Sequence, residues 1–224
     1  MQLEKTTKQR KKDEKRRYDD ACGLAHALEL IGERWAMLVL RELAYGPRRF
    51  SELKADLQGI SANVLAQRLG ELEERGLLRK IKLPPPASVQ VYEATEWGLE
   101  ATPVIASLGK WAARSPLHDP TLPMSHVSVM MSLQTLLSSE LSKDIDARVG
   151  FRLGEASYVA TLRNGSLAIE RRETSGCDAT FAGSATEVVA VIHGGAPLEM
   201  ITVEGDITLA RRFITLFPLP PKVA

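Results

Sequence analysis

Residues 46–76 read GPRRFSELKADLQGISANVLAQRLGELEERG, which contains two helical patterns separated by a tight turn. The first pattern has Ser51 as its predicted N-cap and extends to about Leu57. Gln58-Gly59-Ile60 forms the predicted turn, and Ser61 is the predicted cap of the second helix. One face of that second helix is apolar and is formed by Val64, Leu65, Leu69 and Leu72.

Two more helical patterns precede this stretch. Residues 21–31 are predicted to form a helix that ends at Gly32, and residues 35–43 a second one that is closed by Tyr45-Gly46-Pro47. In the first of them the spacing of three and four residues predicts one buried stripe, formed by Ala21, Leu24, Ala25, Leu28 and Ile31.

A hairpin pattern follows the second helix of the opening stretch. Residues 78–83 and 89–94 are predicted strands with a proline-rich tip between them, and Thr95 is the predicted cap of a helix over residues 96–113. Helix, short helix, turn, helix and hairpin in this order predict a winged helix-turn-helix, which presents one helix to the DNA major groove. The same order can also serve as a scaffold.

The composition is that of a soluble globular protein. The chain has 224 residues, of which 44% are hydrophobic and 25% charged, so we expect two domains that fold. The sequence shows neither an apolar run of membrane-spanning length nor a signal peptide, so we expect a cytoplasmic protein without membrane contact. Two cysteines and four scattered histidines exclude a disulfide framework and give no metal-ligand spacing, so no cofactor is expected.

The net charge of +1 is distributed unevenly. Residues 1–17 carry 8 Lys and Arg against 3 Asp and Glu, whereas residues 18–114 and 115–224 have net charges of −1 and −3. A basic N-terminal arm is typical of proteins that bind nucleic acid, but a solvated tail has the same composition. Both interpretations stay open.

The second half of the chain has a different pattern. Residues 115–123 contain three prolines and are the predicted linker, which leaves residues 18–114 and 124–224 as the two domains. The second domain is predicted to be α+β, an antiparallel sheet covered by helices. Its predicted elements are a helix over 127–141, strands over 147–153, 158–162, 167–171 and 177–181, a helix through residue 192 opened by the capping box of Ser184 and Glu187, and a final helix over 206–217.

Residues 22–113 closely resemble the HxlR branch of the MarR-like winged-helix regulators. The resemblance implies a bacterial-type transcription factor, commonly a homodimer, that binds a double-stranded DNA operator. It rests on Cys22, Ala27-Leu28-Glu29-Leu30-Ile31-Gly32-Glu33-Arg34-Trp35, Leu40-Arg41-Glu42-Leu43, Gly46-Pro47-Arg48-Arg49-Phe50-Ser51-Glu52-Leu53, Gly59-Ile60-Ser61, Leu65-Ala66-Gln67-Arg68-Leu69, Leu72-Glu73, Gly76-Leu77 and the step from Thr95 to Gly98.

Polar side chains on the free face of the second helix are the predicted base contacts. Ser61, Asn63 and Gln67 can donate to and accept from base edges. Arg68 contacts a phosphate or pairs with Glu71. Further predicted contacts to the DNA backbone are Arg48, Arg49, Lys80 and Lys82, for which solvated charges are the alternative, and the tip of the hairpin carries no basic residue.

Two further expectations concern the first domain. Cys22 occupies the position of a thiol that several HxlR-type proteins use as a redox switch, and a buried structural thiol is the alternative. The helices over residues 21–31 and 96–113 are the predicted homodimer interface, since the latter carries an apolar stripe of Trp97, Val104, Leu108 and Trp111.

The second domain resembles the sterol carrier protein type 2 fold. The resemblance rests on Asp178-Ala179-Thr180-Phe181-Ala182-Gly183, Val188-Val189-Ala190-Val191-Ile192, Ile201-Thr202-Val203-Glu204-Gly205-Asp206 and Leu209-Ala210-Arg211-Arg212-Phe213. It implies a pocket for a lipid-like or other apolar small molecule, and an ordinary packed core is the alternative. The predicted pocket residues are Phe151, Phe181, Val188, Val189, Ile192, Leu209, Phe213 and Phe217.

The sequence contains no recognisable set of catalytic residues, so we expect that the protein is not an enzyme. The sequence therefore favours a dimeric DNA-binding transcriptional regulator with a ligand-sensing second domain. A lipid-binding carrier or adaptor, whose winged helix contacts protein, is the alternative.

Overall fold

The structure is a computed structural model that describes residues 18–223, so the basic arm predicted over residues 1–17 lies outside the described residues. Contacts within the chain divide it into two compact units. The first comprises the residues up to Leu40 and Arg48–Leu99, and the second comprises Arg41–Pro47 and the residues from Glu100 onward. The predicted linker, residues 115–123, contains turns and bends but no helix or strand.

Within the described residues, four helices precede the hairpin: α1 (Gly23–Ile31), α2 (Ala36–Glu42), α3 (Phe50–Asp56) and α4 (Ala62–Glu74). The core of the first unit is built from their apolar residues together with those of the hairpin. Its fully or almost fully buried side chains include Ala36, Val39, Leu40, Leu53, Leu57, Leu65, Leu69, Leu72, Leu78 and Val91.

Of the two predicted helix caps, the one at the start of α4 is confirmed and the one at the start of α3 is not. Gly59 has a φ of +85°, which a residue without a Cβ adopts at little cost, and the Ser61 hydroxyl accepts a hydrogen bond from the Val64 amide as the predicted cap. The prediction of Ser51 as a cap was wrong. Helix α3 begins two residues earlier, with Arg49 as its N-cap, and the Glu52 carboxylate accepts from the Arg49 amide at 2.7 Å.

The hairpin consists of β1 (Leu78–Lys82) and β2 (Gln90–Ala94), which pair antiparallel. Helix α5 (Glu96–Ala112) follows it directly. The Thr95 hydroxyl connects the two, because it donates to the Gly76 carbonyl at 2.7 Å and accepts from the Gly98 amide at 3.0 Å. This hydrogen bonding confirms the predicted cap.

Most of the second unit is an α+β fold. Its helices are α6 (His126–Leu136), α7 (Ser139–Ser142), α8 (Ala185–Ile192) and α9 (Ile207–Phe213), with 3-10 turns at Leu198–Met200 and Ile214–Leu216. Its strands are β3 (Ala147–Leu153), β4 (Ala156–Arg163), β5 (Ser166–Arg171), β6 (Ala179–Gly183) and β7 (Thr202–Gly205), in the spatial order β5-β4-β3-β6-β7.

The structure corrects three predictions for this unit. The sheet is mixed and not antiparallel as predicted. Strand β6 pairs parallel to β3, whereas the pairs β3–β4, β4–β5 and β6–β7 are antiparallel. The helix predicted over 127–141 is interrupted, since the chain leaves helical geometry at Leu137 and Ser138 caps the separate helix α7. Strand β7 was missed, because its four residues are partly or fully exposed and show no apolar alternation.

Arg41–Pro47, which comprise the end of α2 and the loop before α3, belong to the second unit. Glu42 is fully buried, and its Oε1 accepts from the Ser125 hydroxyl at 2.8 Å. The Tyr45 hydroxyl donates to Gln134, and the Tyr45 ring meets Tyr158 edge to face at 5.8 Å between centroids. Helix α2 therefore begins in the first unit and ends in the second.

Two glycines of α5 allow a matched test of packing in the first turn of that helix. A Cβ on Gly98 would lie 1.9 Å from the Leu77 carbonyl oxygen, whereas a Cβ on Gly109 meets nothing within 4 Å. We expect Gly98→Ala to destabilise the protein by about 1–3 kcal/mol and Gly109→Ala to stabilise it by about 0.5–1 kcal/mol. Urea unfolding followed by tryptophan fluorescence measures both, and similar effects of the two changes would contradict this packing.

Candidate nucleic-acid interface

Helix α4 has a buried face and an exposed face. Leu65, Leu69 and Leu72 are buried in the core, which turns Asn63 and Gln67, one helical turn apart, towards solvent. Ser61 is exposed at the start of the helix, where its hydroxyl holds the cap. The three predicted base contacts therefore lie at or near the N-terminal end of one helix.

Gln67 has a neighbour on the same face. Its Nε2 donates to Glu71 Oε1 at 2.8 Å, which orients the amide so that its oxygen stays available as an acceptor. An oriented amide with a free edge is suited to a bidentate contact with a base, since less side-chain freedom is lost on binding.

Arg68 lies on the buried side of α4. Its side chain is 7% exposed, its guanidinium bonds to the Glu71 carboxylate, and Glu33 lies 3.6 Å from the same nitrogen. Of the two alternatives for Arg68, the structure contains the Glu71 pair. A guanidinium held between two carboxylates in the interior is poorly placed for a phosphate.

The two arginines before α3 differ sharply in environment. Arg48 has a side chain only 4% exposed and pairs with Glu52 and Asp56, which corrects the expectation of a surface arginine at this position. Arg49 is exposed, so the predicted phosphate contact at this end of α3 falls to Arg49.

The hairpin presents basic residues on its first strand. Lys80 and Lys82 are both exposed, and the Lys80 ammonium lies 5.8 Å from the centroid of the Tyr92 ring. Arg79 is also exposed and pairs with Glu93 at 2.9 Å. Residues 84–88 at the tip are exposed, so any contact from the tip is made by prolines, Ala87 and Ser88 rather than by basic side chains.

Sequence reasoning missed the role of Tyr92. Its backbone exchanges two hydrogen bonds with Arg48, at 2.9 and 2.8 Å, and so attaches the hairpin to the chain before α3. No local signal reveals this pair, because the two residues are far apart in sequence and Arg48 lies outside the predicted strands.

The cysteines and possible metal ligands are also located. Cys22 is exposed next to the first turn of α1, so a buried structural thiol was the wrong alternative for it. Burial raises the pKa of the partly exposed Cys177 thiol. Within residues 18–223, no three His, Cys, Asp or Glu side chains are grouped to hold a metal, and no helix is long and apolar enough to cross a membrane.

Several apolar side chains of α1 and α5 face solvent. Of the stripe predicted to be buried in α1 only Ala25 is buried, whereas Leu24 is 68% and Leu28 40% exposed. On α5 the predicted stripe is exposed along its whole length, and its members are Trp97, Val104, Leu108 and Trp111. An apolar surface of this kind is typical of an interface.

The residues predicted to line a pocket lie in one hydrophobic core of the second unit. Phe151 stacks on Phe181 at 5.3 Å between ring centroids, and Phe213 lies 6.0 Å from each of them. The Phe217 ring is 5.0 Å from Phe213. These rings make contact with one another, which is the arrangement expected of the packed-core alternative.

Comparison with known proteins places the similarity in the first half of the chain. The family described as HxlR-like helix-turn-helix matches residues 30–118. Three Bacillus subtilis proteins named as HTH-type transcriptional regulators are similar to the chain. YvaP is 34% identical over 86 residues, which are 38% of this chain and 80% of YvaP, and YkvN is 40% identical over 92 residues, which are 41% of this chain and 77% of YkvN. YodB is 35% identical over 86 residues, which are 38% of this chain and 77% of YodB. The solved structure of reduced YodB is 31% identical, with a TM-score of 0.40, and covers 45% of this chain and 100% of that one.

Proposed function

The chain belongs to the HxlR-like helix-turn-helix family, and from this premise we propose how it recognises DNA and how it is regulated. It is a DNA-binding transcriptional regulator with a winged helix-turn-helix. Its relatives are named as regulators of transcription rather than as enzymes. The observation that carries the proposal is the polar, exposed N-terminal side of α4 above a buried leucine face.

Asn63 and Gln67 read base edges in the major groove. Both are exposed on α4, and their amides supply a donor and an acceptor each, which is the pattern needed for a bidentate contact with adenine. Arg49, Lys80 and Lys82 are the proposed contacts to phosphates because each is exposed and positively charged. The basic arm over residues 1–17 adds unspecific affinity that weakens with salt.

Single changes on α4 test this readout. We expect Asn63→Ala and Gln67→Ala each to weaken binding to a selected operator duplex by about 1–3 kcal/mol and to leave binding to a scrambled duplex nearly unchanged. Glu74→Ala, an exposed change at the other end of α4, is the matched control and should not reduce specificity. Fluorescence anisotropy titrations measure both affinities, and equal losses on both duplexes would refute the assignment.

A homodimer presents two copies of α4 to the operator. The proposal is supported by the exposed apolar side chains of α1 and α5, which a second copy would cover. Two recognition helices related by a twofold axis read two half-sites about one helical turn apart, so the operator should be close to a palindrome.

A charge placed in the proposed interface should break the dimer. Val104 is 63% exposed on α5, and burying a glutamate there without a partner is costly, so we expect Val104→Glu to shift the protein from dimer to the 24.6 kDa monomer. Leu141→Glu, at a site 50% exposed on α7, is the matched control and should leave the dimer intact. Light scattering measures the mass, and a monomeric wild-type protein at micromolar concentration would exclude the dimer.

The second unit is the proposed sensor for an apolar ligand. Two observations support this proposal. The first is the resemblance to sterol carrier protein type 2, and the second is that Arg41–Pro47, which include the end of α2, belong to the second unit. Burial, together with the Tyr158 phenol, raises the pKa of Tyr45, so its hydroxyl stays protonated and donates to Gln134. A ligand that loosens this packing would act on the end of α2.

Ligand binding and its transmission can be measured separately on the full chain. A fatty acid, sterol or aromatic compound at about 100 times its dissociation constant should add roughly 2.7 kcal/mol of stability, which is visible as a thermal shift. The same compound should change operator affinity in the wild type, and less in Tyr45→Phe, which cannot donate to Gln134. The absence of any shift would leave the second unit a packed spacer, and a shift without DNA binding would favour the lipid carrier.

A further inference from the structure

The backbone of Arg48 is part of the hairpin. Its amide donates to the Tyr92 carbonyl at 2.9 Å, and its carbonyl accepts from the Tyr92 amide at 2.8 Å, which makes an isolated antiparallel bridge to β2. Two backbone hydrogen bonds therefore fix the position of β2 relative to the residue that precedes α3 by two places.

The side chain of the same residue is bound to α3. The Arg48 guanidinium donates to the Asp56 carboxylate, and its Nε lies 3.3 Å from Glu52 Oε2. Glu52 also accepts from the Arg49 amide at 2.7 Å, so one carboxylate holds both the start of the helix and the arginine. The planar guanidinium suits this task because it binds two carboxylates in a fixed geometry.

We propose that Arg48 is a positioning residue for DNA recognition, which fixes the wing strand β2 to helix α3 and so sets the wing against the recognition helix. The proposal rests on the proposed readout by α4. Arg48 acts through its neighbours, since its backbone is bound to Tyr92 and its side chain to Asp56 and Glu52.

Charge and burial separate this role from that of a phosphate contact. The Arg48 guanidinium is paired with two carboxylates and its side chain is only 4% exposed, so it is poorly placed to contact a phosphate. The two roles also predict opposite signs for one substitution. Asp56→Asn removes a negative charge, which by electrostatics alone should strengthen DNA binding. If Arg48 positions the wing, the same change should weaken DNA binding, because it weakens the contact between Arg48 and residue 56.

The experiment uses the full-length protein and the duplex that the wild type enriches most strongly from a random DNA pool, with a scrambled duplex beside it. The variants are Arg48→Met, Arg48→Lys, Asp56→Asn and the Arg48→Met/Asp56→Asn double variant. Arg79→Met, which removes an exposed arginine from the wing, is the matched control. Circular dichroism confirms folding, and anisotropy titrations over a salt series give the affinities.

We expect Arg48→Met and Asp56→Asn each to weaken binding to the selected duplex about tenfold, with little change on the scrambled duplex and an unchanged salt slope. The double variant should be less impaired than the product of the single effects, with a coupling of about 2- to 10-fold. Arg48→Lys should remain impaired although the charge is kept, because an ammonium lacks the planar fork. Amide exchange at Arg48 and Tyr92 should become faster in Asp56→Asn.

Two results would overturn the proposal. The first is that Asp56→Asn binds the selected duplex at least as tightly as the wild type does. This measurement remains informative if Arg48→Met does not fold. The second is a salt slope that falls by about one in Arg48→Met with equal losses on both duplexes, the behaviour of a phosphate contact. A wild-type protein that enriches no sequence would instead refute the readout by α4, which is a distinguishable failure.

Discussion

The burial of Leu65, Leu69 and Leu72 is the constraint on which the DNA-binding half depends, since each of these side chains is at most 1% exposed. A helix with three leucines in the core can present only its opposite face to solvent, and that face carries Asn63 and Gln67. Burial of one leucine contributes about 1.5–3 kcal/mol, whereas a polar amide that stays exposed keeps its hydrogen bonds to water. The exposure of the face proposed to read DNA is thus a consequence of packing on the other side of α4.

Arginine serves two physical roles in this half of the chain. Arg48 and Arg68 are buried with carboxylates, and removing one partner of such a pair typically costs about 3–5 kcal/mol because a charge is left in the interior. Arg79 is 63% exposed in its pair with Glu93, where the gain is typically about 0.2–1 kcal/mol. The buried arginines are therefore paired with carboxylates, whereas Arg49, Lys80 and Lys82, the proposed phosphate contacts, are exposed.

The second unit also contains a short segment from the first half of the chain. It retains Arg41–Pro47, with Glu42 fully buried and Tyr45 against Tyr158, so the end of α2 depends on packing in the C-terminal half. Its core is dense in aromatic rings, with Phe151, Phe181 and Phe213 in mutual contact.

Local sequence patterns were enough to predict the order of helices, turn and hairpin, the cap at Ser61 and the exposed face of α4, because these depend on periodicity and on residues close in the chain. The same patterns could not predict that Arg48 is buried, that β6 lies parallel to β3, or that Leu24 and Leu28 are exposed. Each of these depends on contacts between residues distant in sequence, such as those of Arg48 with Tyr92, or on the absence, among residues 18–223, of an element that covers Leu24 and Leu28. A local pattern shows what a residue can do, whereas the fold determines which neighbour it meets.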